Sequence, residues 1–258
     1  MSWCRRHVRG FRLHRVRPVA ERLTAQRYRT IGRNQVTNPI VLVHGAWHGG
    51  WCFEHVIGPL RHEGFDVHAV DLPLNGSAGD ITAARASIEQ RPGAIVLGHS
   101  YGGFVITHAT VDLDVGHLVY LAALMPDEQD DLGTRIQASP PATALNDAMV
   151  VGDDGRVGIN PDLAVNAFYD DCKPEHARAA VARLRSQLLD GFPSLESTPP
   201  WQQVPTTYVI CQGDRALHPE LQREFAKQAS SVLEWEGAHS PFLAQPQRVI
   251  DLLKALAS

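Results

Sequence analysis

The sequence predicts an α/β protein, a doubly wound and mostly parallel sheet carrying a helical cap insert. Three observations carry that expectation. Short apolar runs such as 39–43 and 94–97 are continuous rather than alternating, which marks strands covered on both faces. Each run is followed by helical sequence, and β-α-β-α-β-α at this spacing belongs to a parallel sheet with crossover helices. The rhythm then stops near Asp127 and resumes at Val204, an interval too long for a simple connection.

Taken in order, the first strand is expected at 39–43, followed by a glycine-rich stretch from His44 to Gly50. A helix is expected over 51–63, with Phe53, Val56, Ile57 and Leu60 on one side and Gly64 as its stop. A strand at 65–70, a helix at 80–90 and the strand leading to Ser100 follow. After Ser100 a helix is expected to about Val111, then a strand at 115–124. Between Asp127 and Pro200 no apolar strand is read, only acidic loops, a Pro140-Pro141 step and one clear helix over 174–189. Ala177, Val181, Leu184 and Leu188 give that helix its spacing, and Pro174 suits its first turn. The final part predicts a strand at 204–211, a helix at 219–229, a strand at 231–236 and a closing helix at 246–256. The resulting division is a leader at 1–35, a core from 36–126 and 201–258, and a cap insert at 127–200.

Composition narrows the function classes. A charged content of 20% and a hydrophobic content of 44% are those of an ordinary globular protein. The net charge of −4 divides unevenly: residues 1–35 carry +9, from ten arginines and one glutamate, and the rest carries −13. The acidic body argues against nucleic acid as a partner. No apolar run reaches the roughly 18–20 residues that span a bilayer, so no membrane partner is expected. The leader has no apolar core of the secretory type and is expected to be poorly ordered. Cys4, Cys52, Cys172 and Cys211 show no metal-site spacing and are read as free thiols of a cytoplasmic protein. Oligomeric state is left open between a monomer and a homodimer.

The stretch with chemical content is Gly98-His99-Ser100-Tyr101-Gly102, which fits G-x-S-x-G between a strand and a helix. Such a sharp turn exposes one side chain at its apex, here Ser100. A serine hydroxyl needs a base to take its proton, and the base needs a carboxylate to fix its tautomer. Ser100, Asp214 and His239 each follow a predicted strand end, the edge of a parallel sheet where ligands sit. Their order, Ser then Asp then His, completes the pattern. Asp127 is the rival position for the acid, and Asp214 is preferred because Gly213 frees its turn. The backbone amides of Ala46 and Tyr101 are the expected donors to a developing oxyanion. His44 and His48 are four apart, but Gly45 stands where H-E-x-x-H needs a glutamate, so no metal or other cofactor is expected.

These motifs together resemble the α/β-hydrolase superfamily, and within it the branch of plant methyl esterases, hydroxynitrile lyases and bacterial esterases. The resemblance rests on residues 43–51 (V-H-G-A-W-H-G-G-W), 98–103 (G-H-S-Y-G-G), 124–126 (L-M-P) and 237–241 (G-A-H-S-P). It implies the α/β-hydrolase fold and acyl transfer from a small or medium carboxylic ester. The cap is expected to supply an apolar pocket, with Phe168, Tyr169 and Trp201 as candidate walls. The lyases carry a threonine where Gly45 stands and a lysine where Ser240 stands, so ester cleavage leads over cyanohydrin cleavage. Lactone, thioester or C–C bond hydrolysis on the same residues, or ligand binding on a hydrolase scaffold, are the competing expectations.

Overall fold

The computed structural model describes residues 37–128 and 131–258. The arginine-rich leader therefore lies outside the described residues. Strands β1 (Ile40–Val43), β2 (Val67–Val70), β3 (Ala94–His99), β4 (Val115–Leu121), β7 (Thr206–Cys211) and β8 (Ser231–Trp235) form one sheet, in the order β2-β1-β3-β4-β7-β8. Every pairing in it is parallel. Residues of β1, β3 and β7 are buried throughout, as the continuous apolar runs require of strands covered on both faces.

The chain steps from β1 outward to β2, then back across β1 to β3 and on to β4. Right-handed crossovers in opposite directions put their helices on opposite faces of the sheet. Accordingly α1 (Glu54–His62) packs with the C-terminal α10 (Pro246–Ala257), and α2 (Ser77–Glu89) packs with α3 (Tyr101–Ala109). The direction changes between β1 and β3, so the crevice beyond their carboxyl ends is the switch point where doubly wound folds bind ligands.

Between β4 and β7 lie helices α4 (Leu132–Ala138), α5 (Thr143–Ala148), α6 (Pro161–Phe168) and α7 (Pro174–Val181). An antiparallel hairpin, β5 (Met149–Val151) with β6 (Val157–Ile159), lies among them. Two expectations are corrected here. No strand is expected there, yet a hairpin forms: its strands are only three residues long, and β5, apolar throughout, leaves Val151 73% exposed. The helix expected over 174–189 ends at Val181. Beyond it the backbone finds tertiary partners instead of the next helical turn: Arg185 N–H donates to Trp47 O, and Gln187 exchanges both backbone hydrogen bonds with Val157. Leu184 still packs against the core, whereas Leu188 is left 38% exposed.

The β3–α3 turn is a matter of backbone clearance. A Cβ on Gly98 would lie 2.5 Å from Gly102 O, and one on Gly102 would lie 2.5 Å from Val43 O and 2.7 Å from His44 O. Substituting Gly102→Ala forces the α3 terminus away from β1 and is expected to cost roughly 2–3 kcal/mol. Gly58 on α1 has nothing within 4 Å, so Gly58→Ala is the control, expected to cost nothing and to gain up to about 1 kcal/mol of helix propensity. Urea unfolding of the two variants checks the contrast; equal stabilities would show that the clearance is not limiting.

Candidate active site

Ser100 stands between β3 and α3 at φ 55° and ψ −122°, a left-handed conformation that only a tightly constrained turn imposes on a non-glycine residue. Its N–H donates to Leu121 O, and its carbonyl accepts from Gly103 and Leu124 N–H, so the end of β4, the residues after it and the helix hold the turn. Tyr101 is the first residue of α3, where N–H groups have no intrahelical acceptor. The loop after β1 meets this turn closely: a Cβ on Gly45 would lie 2.9 Å from Ser100 Cβ and 3.1 Å from His99 Nδ1.

His239 and Asp214 come from the loops after β8 and β7, both almost wholly buried. His239 Nδ1 donates to Asp214 Oδ2 at 2.7 Å, which leaves Nε2 with the lone pair. The carboxylate is saturated by its other contacts. Oδ1 accepts from the N–H groups of Ala216 (2.8 Å) and Leu217 (2.9 Å), and Oδ2 accepts also from Gln222 Nε2 (2.7 Å). Gln222 is itself fully buried and completely paired, donating to Leu217 O at 2.7 Å and accepting from Cys211 N–H at 2.9 Å. Sequence reading missed it. The available signal was a glutamine on the apolar face of α8 (Pro219–Ala226), between Leu221 and Phe225, in the helix opening after Asp214. The rival acid, Asp127, accepts from Glu128 N–H six residues beyond the end of β4, and Asp214 is the carboxylate on His239.

Three further histidines surround the pair, and carbonyl partners assign their tautomers. His44 Nδ1–H donates to Gly45 O and its Nε2 accepts from Leu72 N–H. His48 Nδ1–H donates to Ala46 O and its Nε2 accepts from the Tyr169 hydroxyl. His99 Nε2–H donates to His239 O at 2.8 Å, tying the serine turn to the histidine loop. Burial holds all three neutral, pushing His44 down to about 4, His48 to about 3 and His99 well below the usual histidine range.

The insert reaches the same place. Phe168 at the end of α6 lies against both His239 and His48, with ring centroids 5.8 and 5.4 Å apart. Asp171 accepts from Ala238 N–H at 2.8 Å, and Asp170 pairs with Arg215 at 3.7 Å, so the insert grips the residues beside His239 and Asp214. Of the three aromatics expected as walls, Phe168 contacts His239, Tyr169 contacts His48, and Trp201 donates its indole N–H to Pro126 O. Ser240, next to His239, is fully buried. Among the described residues no group of three or more His, Cys, Asp or Glu could hold a metal ion, and Cys52, Cys172 and Cys211 are free thiols.

Norfluorocurarine synthase 2 of a Strychnos species is 28% identical, over 83% of this chain and 92% of that protein. Methylesterase 1 of Arabidopsis thaliana is 26% identical, over 84% and 95%. The crystal structure of a pyrethroid hydrolase from Sphingobium faniae superposes with a TM-score of 0.74 at 23% identity, covering 85% of this chain and 97% of that one. The model of the alpha/beta hydrolase family matches residues 40–252, and the chain belongs to that family.

Proposed function

We propose that the chain is a serine hydrolase that cleaves a small or medium carboxylic ester through an acyl-enzyme intermediate. The observation that carries the reading is the buried 2.7 Å hydrogen bond from His239 Nδ1 to Asp214 Oδ2, beside a serine held at φ 55°. Kinship with proteins named esterases, such as methylesterase 1, supports the choice of bond.

In this reading His239 Nε2 takes the proton from Ser100 Oγ as Oγ bonds to the ester carbonyl carbon. The N–H groups of Ala46 and Tyr101 receive the oxyanion. As the tetrahedral adduct collapses, the ester C–O bond breaks and His239 returns the proton to the departing alcohol. Water, deprotonated by the same nitrogen, then attacks the acyl-enzyme; collapse releases the carboxylic acid and restores Ser100. Asp214 keeps the tautomer fixed throughout. Neither His44 nor His48 can substitute for His239, because both ring nitrogens of each are already paired. The residues between β4 and β7 act as the cap, with Phe168 shielding the base from water. The tight approach of Gly45 to Ser100 favours ester cleavage over the lyase reaction, since the threonine of the lyases would displace the turn. Among the described residues no helix is long and apolar enough to cross a membrane.

Two outcomes check this account. With a chromogenic short-chain p-nitrophenyl ester, wild-type protein is expected to turn over and Ser100→Ala to lose at least about 10³-fold in kcat, with Tm nearly unchanged. Full activity in that variant would sink the mechanism. The second concerns acid. His44 and His48 stay neutral in the fold down to about pH 4 and about pH 3 but protonate near 6.5 when unfolded, so the unfolded chain binds more protons. Their stabilisation is complete above pH 6.5 and is lost as pH falls, by about 1.4 kcal/mol per pH unit for each ring. Urea midpoints measured from pH 7.5 to 5 should decline below 6.5; a flat profile contradicts the assigned neutrality.

A further inference from the structure

The loop after β1 is shaped from the insert as well as from the core. Trp47 sits at φ 62°, a left-handed conformation that is strained for an aromatic residue. Its backbone is gripped on both sides by the extended segment after α7. Arg185 N–H donates to Trp47 O at 2.8 Å, and Trp47 N–H donates to Gln187 Oε1 at 3.2 Å. The Trp47 indole N–H donates to Val157 O at 3.0 Å, and Val157 is in turn bonded to Gln187 through both backbone groups. The Arg185 guanidinium spans the loop's far side. Its Nε and Nη2 donate to His48 O at 3.1 and 2.7 Å, and Nη2 also reaches Leu72 O at 3.1 Å and Asp71 Oδ1 at 3.3 Å.

What this grip controls is the residue just before Trp47. His44 Nδ1–H holds Gly45 O, and a trans peptide places the Ala46 N–H on the opposite side of that bond from Gly45 O. His48 Nδ1–H holds Ala46 O. Ala46 is therefore suspended between two carbonyls pinned by histidines, and the rotation left to it is set by where Trp47 and His48 are held. Among the described residues its N–H has no acceptor.

We propose that Arg185 and Gln187 are positioning residues for the oxyanion hole: the contact of the insert with Trp47 and His48 sets the direction of the Ala46 N–H toward the adduct on Ser100. The proposal rests on the serine-hydrolase reading above. Neither side chain touches substrate in it. Both act through the strained turn at Trp47, which relaxes when the insert segment lets go. Aim matters because an oxyanion donor works by pre-orientation, and losing one such donor outright lowers kcat by about 10²–10³.

The test uses Arg185→Ala, Arg185→Lys and Gln187→Leu in the full chain, beside wild type and Ser100→Ala. For each variant kcat and KM are measured on p-nitrophenyl butyrate, with the Ki of an aliphatic trifluoromethyl ketone that forms an oxyanion adduct. Arg185→Ala and Gln187→Leu are expected to lower kcat roughly 10- to 100-fold and to raise Ki by a similar factor, with KM within about threefold. The pH midpoint of kcat/KM stays in place because the His239–Asp214 pair is untouched. Arg185→Lys keeps one donor of the fork and recovers part of the loss. Unchanged kcat and Ki in variants that show only a lower Tm overturn the proposal, because that is the signature of a purely structural clamp. Should Arg185→Ala fail to fold, Gln187→Leu and Arg185→Lys decide by the same criteria. A wild type without Ser100-dependent turnover overturns the hydrolase reading and this proposal with it, whereas an active wild type with indifferent variants overturns the positioning role alone.

Discussion

The site depends on how closely two backbone turns approach each other at the switch point of the sheet. The turn after β3 presses Gly102 against the carbonyls of Val43 and His44, and the loop after β1 presses Gly45 against Ser100. No side chain fits at either contact. That clearance puts Ser100 into a left-handed conformation at the head of α3 and brings the Ala46 loop beside it. The Asp214 and His239 loops then need only arrive from the neighbouring strand ends, and His99 joins them by donating to His239 O.

Electrostatics divides four buried histidines among distinct tasks by hydrogen bonding alone. His44 and His48 each spend Nδ1–H on a carbonyl of the β1 loop and accept at Nε2, so they brace that loop in the neutral form. His99 is a strut between the serine turn and the histidine loop. His239 differs in having a carboxylate partner at Nδ1, which fixes its tautomer and orientation. Asp214 is able to do this because three other donors, two backbone N–H groups and Gln222, already fix its orientation. The insert contributes through Phe168 over His239 and through Arg185 and Gln187 on the β1 loop, so its placement bears on the same few ångströms.

Legibility in the sequence followed the type of signal. The sheet was readable because β1, β3 and β7 are buried on both faces and leave continuous apolar runs. Asp214 and His239 were readable because each follows a strand end, Asp214 beside Gly213 and His239 two residues after Gly237. Gln222 was not, since its importance lies in a contact across eight residues between a helix and a loop. Helical spacing in Val181, Leu184 and Leu188 led past the true end of α7, where Trp47 and Val157, both distant in sequence, supply the partners that stop the helix. The same distance hid Arg185 and Gln187. The hairpin β5–β6 was invisible because its strands are three residues long and at most partly buried.

The central claim is a covalent one: the acyl group resides for a time on Ser100. Rapid quenching of protein mixed with excess p-nitrophenyl butyrate, followed by peptide mass mapping, tests it most directly. The account predicts a mass gain of one butyryl group on the peptide carrying Ser100, decaying as substrate is exhausted and absent from Ser100→Ala. Steady turnover in the same experiment, with that peptide never modified and the Ser100→Ala protein equally active, would contradict it.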